Sequence, residues 1–193
     1  MATSRTQARR WSRRNPMSDD FNKFMLEFPF WMLYVRADRR FPCLHCYDES
    51  THSEKINCHY CFATGYKVSF QRFPCVQVSR PNVSRLQGGP LIAAGWIENY
   101  DAVILAPREL NPEAHDYICE VEWDKDYTSI QYGSRPMNLQ NTWEVVFTTQ
   151  EADAGIAYYV IGCSTHINAH TLLGEQLLNI SNIETLRMRS KRS

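Results

Sequence analysis

The sequence has no run of 18 apolar residues, which excludes a membrane-spanning helix. Its opening stretch, MATSRTQARRWSRRNP, is basic but lacks the apolar core of a secretory signal, so secretion is not expected. The Arg and Ser content of that stretch would also suit an organellar transit peptide. Gly-x-Ser-x-Gly, P-loop and dinucleotide fingerprints are all missing, as is any internal repeat. Nothing in these absences argues for an enzyme, and none is expected. Net charge is missing too, with 21 basic residues balancing 21 acidic ones.

That balance hides an uneven distribution. Residues 1–14 carry five arginines and no acid, among them Arg9, Arg10, Arg13 and Arg14. Residues 187–193 add Arg187, Arg189, Lys191 and Arg192. Removing these nine leaves twelve basic residues against 21 acids, so the body carries a formal charge of about minus nine. Two basic tails on an acidic body suit arms that seek a polyanion or an acidic partner; ordinary solvated termini are the alternative.

What is present is the framework of a β protein of one medium size, with 44% hydrophobic and 12% aromatic residues. Residues 1–17 read as a flexible basic arm. Ser18 can cap a short helix whose apolar positions Phe21, Phe24, Met25 and Phe28 fall at helical spacing before Pro29. WMLYVRAD and GYKVSFQRF read as strands. RPNVSRLQGGP, at 80–90, is rich in turn formers and marks a domain boundary. Six short strands follow up to residue 163: IAAGWI, DAVILA, YICEVEW, TSIQYG, TWEVVFTT and IAYYVIG. Their spacing of about ten residues indicates a small antiparallel β-barrel or sandwich. The expected organisation is therefore a basic arm (1–17), a zinc-ribbon module with a short N-terminal helix (18–80), a β-barrel domain (81–165) and a helical or extended basic C-terminal tail (166–193). Leu172, Leu173, Leu177 and Leu178 form one apolar helical face in that tail.

Chemistry is concentrated in CLHCYDESTHSEKINCHYC, where Cys43/Cys46 and Cys58/Cys61 form two Cys-x-x-Cys pairs eleven residues apart. Each pair can form a turn that aims two thiolates at one point, and together they supply the tetrahedral set that Zn²⁺ prefers. Four thiolates favour zinc over iron in a closed ribbon. Gly65 offers the left-handed backbone that the second turn needs before the next strand. His45, His52 and His59 lie in the same segment as competing ligands, but His45 and His59 occupy the x-x positions, where side chains point away from the metal. A closed set leaves no place for an activated water, so the ion is read as structural.

Weaker constellations are Cys163, His166 and His170, which could suggest a second metal site but lack a fourth ligand and fit better an apolar Cys ending a strand, and Glu120, Glu122 and Asp124, whose carboxylates could do acid–base work but alternate as the solvent face of a strand would. Arg36, Arg39, Arg40 and Arg72 flank the knuckles. A zinc-ribbon nucleic-acid-binding protein would use these flanking arginines and the basic tails, but the segment between the cysteines holds one lysine against Asp48, Glu49 and Glu54.

The aromatic-rich opening, LYVRADRRFPCLHC…CHYCFATGYKV and the run of strands after it resemble zinc-ribbon-bearing virion structural proteins of tailed bacteriophages, the neck or head-to-tail connector components. The motif likeness covers residues 21–75. CHYCFATGY also shares its pattern with the zinc module of DnaJ-type chaperones, but Phe62 and Ala63 replace the glycine-rich sequence there, and one ribbon stands where the chaperones carry two sites. The connector resemblance implies a protein of the virion neck, assembled in the host cytoplasm, that forms a homo-oligomeric ring. It would bridge portal or adaptor and tail proteins, with DNA passing through its lumen.

Overall fold

The computed structural model describes residues 30–46, 57–78, 100–125, 134–153 and 156–187. They form β1 (Phe30–Pro42), β2 (Tyr66–Val78), β3 (Ala102–Pro107), β4 (Tyr117–Trp123), β5 (Pro136–Asp153), β6 (Ile156–Thr165), the helix α1 (Ile167–Gln176) and β7 (Ile183–Thr185). The mainly β class read from the sequence is what the chain adopts.

All seven strands belong to one sheet, in the order β1-β4-β5-β6-β3-β2-β7 with β1 also paired to β2. Six strands thus make a closed circuit of antiparallel pairings, and β7 adds to β2 in parallel. The sheet is ring-like without being a regular barrel. Its β1–β4 seam spans four positions, Met32–Val35 against Glu120–Tyr117, and the edge of β2 that meets β3 at Val76–Val78 also takes β7 at Phe70–Arg72. It is one curled sheet and not two stacked ones.

β1 shows why the ring closes. Residues 31–35 are all buried, so the strand lacks the alternation of a half-solvated one. Met32 and Tyr34 point into the ring with Phe73, Ile104, Ile118, Val145 and Ile161. Leu33 and Val35 point outward, onto a second cluster with Cys119, Val121, Leu172, Leu173 and Leu177. α1 lies on this outer face and covers it. At about 1.5–3 kcal/mol for each large side chain buried, a strand packed on both faces is held by both clusters.

The segments assigned by sequence to a ribbon module and to a barrel share this sheet. β1 and β2 bond directly to β4 and β3 and contribute to the same inner cluster. The stretch from 166 to 187 supplies α1 and β7 to the same body. The helix expected at 18–28, the strands IAAGWI and TSIQYG, the boundary at 80–90 and the basic arm lie outside the described residues. Among the described residues, no helix is long and apolar enough to cross a membrane.

Candidate metal centre

The β1–β2 hairpin ends in the two cysteine turns. Cys43 N–H donates to the Gly65 carbonyl at 2.8 Å, which closes the hairpin at the base of the knuckles. In the second turn, Phe62 N–H donates to Cys58 O at 2.9 Å and Thr64 N–H to Cys61 O at 3.0 Å. The Thr64 hydroxyl donates to the same Cys61 carbonyl at 2.7 Å. Gly65 has φ 74°, the left-handed conformation expected of it. Phe62 and Ala63 share that region at φ 54° and 64°, although neither is glycine. Sequence reasoning missed this; the signal was a bulky Phe where such a turn favours small residues.

These turns bring the four sulfurs together. Cys43 Sγ lies 3.9 Å from Cys58 Sγ, Cys46 Sγ lies 3.4 Å from Cys61 Sγ, and all four ligand atoms fall within 4.8 Å of one another. Disulfides would need sulfurs about 2 Å apart, and all seven cysteines are free. Tetrahedral Zn–S bonds of about 2.3 Å place sulfurs about 3.8 Å apart, which this cluster matches. All four cysteines are buried and form a cluster of their own. Four closely spaced thiols therefore make a group that can hold a metal ion. Burial raises the Cys61 thiol well above its ordinary pKa, and the neighbouring Cys46 sulfur adds to this. Burial also opposes ionisation of Cys58, but the backbone N–H groups of Cys61 and Tyr60 outweigh it and lower its pKa. A cation at the centre would replace protons as the partner of all four sulfurs.

The histidines between the cysteines serve other contacts. His45 stacks on Tyr60 with ring centroids 3.7 Å apart, bridging the two turns on their outer side. His59 Nδ1 sits 3.3 Å from Glu175 Oε2 of α1. His52 lies outside the described residues.

The arginines singled out beside the knuckles bind the protein itself. Arg36 donates to the carbonyls of Leu110 at 2.5 Å and Asn111 at 3.0 Å. Arg39 donates to Glu113 and to the Ala114 carbonyl. Arg40 pairs with Asp38 through Nε at 2.8 Å and Nη2 at 2.7 Å. Arg72 is buried and donates to Thr185 Oγ1 at 2.6 Å and to Ser134, tying β7 and the segment just before β5 to β2. Arg9, Arg10, Arg13 and Arg14 lie outside the described residues.

The other constellations do not converge on a centre. Cys163 is buried inside the ring, while His166 caps α1 by accepting from Ala169 N–H at 3.0 Å and His170 contacts Thr142. Glu120 accepts from Asn141 at 2.6 Å, and Glu122 and Asp124 are exposed, as a row of solvent-side acids would be. Among the described residues, the four cysteines are the one group of three or more His, Cys, Asp or Glu side chains placed to hold a metal. No protein-family model matches the chain, and no curated protein matches it.

Proposed function

We propose that the protein is a structural, non-enzymatic component of a larger assembly, whose four-cysteine centre holds Zn²⁺ and fixes the tip of the β1–β2 hairpin. The observation that carries this reading is the closed set of four buried sulfurs, with no side-chain position left open for substrate or water. The assembly suggested by the resemblance of residues 21–75 is the neck of a tailed-phage virion. There the protein would form a ring of identical copies between portal or adaptor and tail proteins, around the DNA channel. An acidic body would let DNA pass without trapping it, since like charges repel the phosphates. In this scheme the basic tails would engage neighbouring copies or partners.

Direct nucleic-acid binding draws less support, because Arg36 and Arg39 are engaged with Leu110, Asn111, Glu113 and Ala114. Elemental analysis of the purified chain, combined with mass photometry, tests the proposal. One zinc per chain and a discrete multi-copy species are expected. A metal-free, folded monomer that binds duplex DNA in a salt-dependent manner would overturn it.

A further inference from the structure

The second cysteine turn does more than present two ligands. Phe62 directly follows Cys61, and its side chain is buried in the outer cluster with Leu172, Leu173 and Leu177, the residues that α1 and its following turn press onto the sheet. Phe70 of β2 meets the Phe62 ring edge-on at 5.7 Å, and Ala63 packs against the same cluster. From the other side of the turn, His59 reaches Glu175 on α1. Thus His59, Phe62 and Ala63 all face the helix or its floor, while Tyr60 turns the other way and stacks on His45.

The backbone that achieves this is strained. Phe62 and Ala63 are consecutive L-residues in the left-handed region, a conformation that persists only where its surroundings over-determine it. Two constraints act here: Cys61 held at the centre on one side, and Phe62 held in its apolar seat on the other. With either removed, the bonds from Phe62 N–H to Cys58 O and from Thr64 to Cys61 O would be left to hold the turn alone, and relaxation to negative φ would swing Phe62 out of the cluster.

We propose that the metal centre is a latch for α1: loading the four cysteines seats Phe62 beneath the helix, and loss of the metal unseats it and releases α1 from the outer face of the sheet. The inner cluster does not contain Phe62 and keeps the ring closed. Release would uncover Leu33, Val35, Cys119 and Val121, an apolar strip now covered by the helix. The latch rests on the proposed metal binding at Cys43, Cys46, Cys58 and Cys61.

Hydrogen exchange on the full-length chain tests it, comparing zinc-loaded protein with protein stripped by a chelator. Amides of 167–179 should exchange at least about ten-fold faster after stripping, while those of 102–107 and 158–163 keep their protection. Unchanged exchange at 167–179, or equal loss of protection throughout the chain, would overturn the latch. Phe62→Ala provides a second arm that is independent of metal removal. It should retain one zinc per chain yet show the same faster exchange in α1, and a zinc-loaded Phe62→Ala protein with a fully protected helix would refute the mechanism. If the purified wild-type chain takes up no zinc, the metal reading fails; the Phe62→Ala comparison still decides whether this side chain holds α1.

Discussion

Asp116 accepts the phenolic hydrogen of Tyr34 inside the protein, joining β1 to the loop that precedes β4 across 82 positions of sequence. Both residues are fully buried. The same carboxylate accepts Ala37 N–H at 3.0 Å and Glu113 N–H at 3.1 Å. It therefore satisfies one side chain and two backbone donors, on both sides of the β1–β4 seam where the ring closes. Burial, and then the Asp116 charge, hold the Tyr34 phenol well above its ordinary pKa, so it remains a donor.

Asp116→Ala should cost about 3–5 kcal/mol of unfolding free energy, since it strands two buried donors and a half-buried one at once. Tyr34→Phe should cost about 1–2 kcal/mol, because Asp116 keeps its two backbone partners. Urea denaturation of the two single variants and the double variant measures both costs. The double variant should cost clearly less than the sum of the singles.

Burial raises the Asp116 pKa above its ordinary value, and its hydrogen bonds oppose this only in part. The folded state thus holds that proton more tightly than the unfolded one. The stabilisation linked to this group is fully present below the ordinary value of 3.8 and declines as pH rises through the folded value. Asp116→Asn should remove this segment of the stability profile, leaving a constant loss from the altered hydrogen bonding. Denaturation midpoints across the acid range, compared between wild type and variant, would reveal a pH-dependent difference; a flat difference would contradict it.

Asp38 behaves in the opposite sense. The Arg40 guanidinium hydrogen-bonded to it lowers its pKa from 3.8 to about 2. The linked stabilisation is present above 3.8 and is lost as pH falls through about 2. The pair is solvent-exposed, with the Arg40 side chain 80% accessible, so its effect on stability is small. Arg40→Gln should return the Asp38 titration towards its ordinary value in a carboxyl-detected NMR experiment while leaving the denaturation midpoint nearly unchanged.

Arg36 tests whether the flanking arginines serve the fold. Its guanidinium bonds two backbone carbonyls, at Leu110 and Asn111, and lies 5.5 Å from the Tyr34 ring centroid. Asn111 ends a 3-10 turn over Arg108–Leu110 at φ 46°, so these bonds hold a turn that local preference alone would not. Arg36→Ala should lower stability by about 1–3 kcal/mol. Affinity for duplex DNA that fell without any loss of stability would instead favour a nucleic-acid role.

Much of this architecture is legible in local sequence, because local forces set it. The spacing of the cysteine pairs requires two turns, and Gly65 adopts the positive φ that its position implies. Strands such as DAVILA and YICEVEW are rich in β-branched and aromatic residues and form β3 and β4. Joining the ribbon hairpin to the later strands leaves no such trace. The pairing of Leu33 with Cys119 is decided by tertiary packing, and no periodicity in either strand encodes it. The same holds for Arg39, whose partners Glu113 and Ala114 lie far along the chain. The leucine face of the tail is partly as read: Leu172, Leu173 and Leu177 are buried, but Leu178 is 71% exposed. α1 ends at Gln176, and the 3-10 turn over Leu177–Asn179 changes the phase, carrying Leu178 out to solvent.

Gly162 provides a sharp test of packing on β6. A Cβ there would lie 2.8 Å from two ring atoms of Tyr100 and 2.9 Å from a third, closer than carbon atoms approach without displacement. Phe147 lies parallel to the Tyr100 ring, with centroids 6.4 Å apart and planes 15° from each other. Gly162 pairs with Val103 on one side and Phe147 on the other, so the backbone is fixed from both neighbours. Gly162→Ala should therefore cost about 1–3 kcal/mol through overpacking. Introducing the same change into a Tyr100→Ala background removes the obstruction, and its cost there should fall to about 0.5 kcal/mol or less. Thermal or urea unfolding of the four proteins in this cycle gives the comparison; equal costs in both backgrounds would mean that Tyr100 is not what excludes a side chain at position 162.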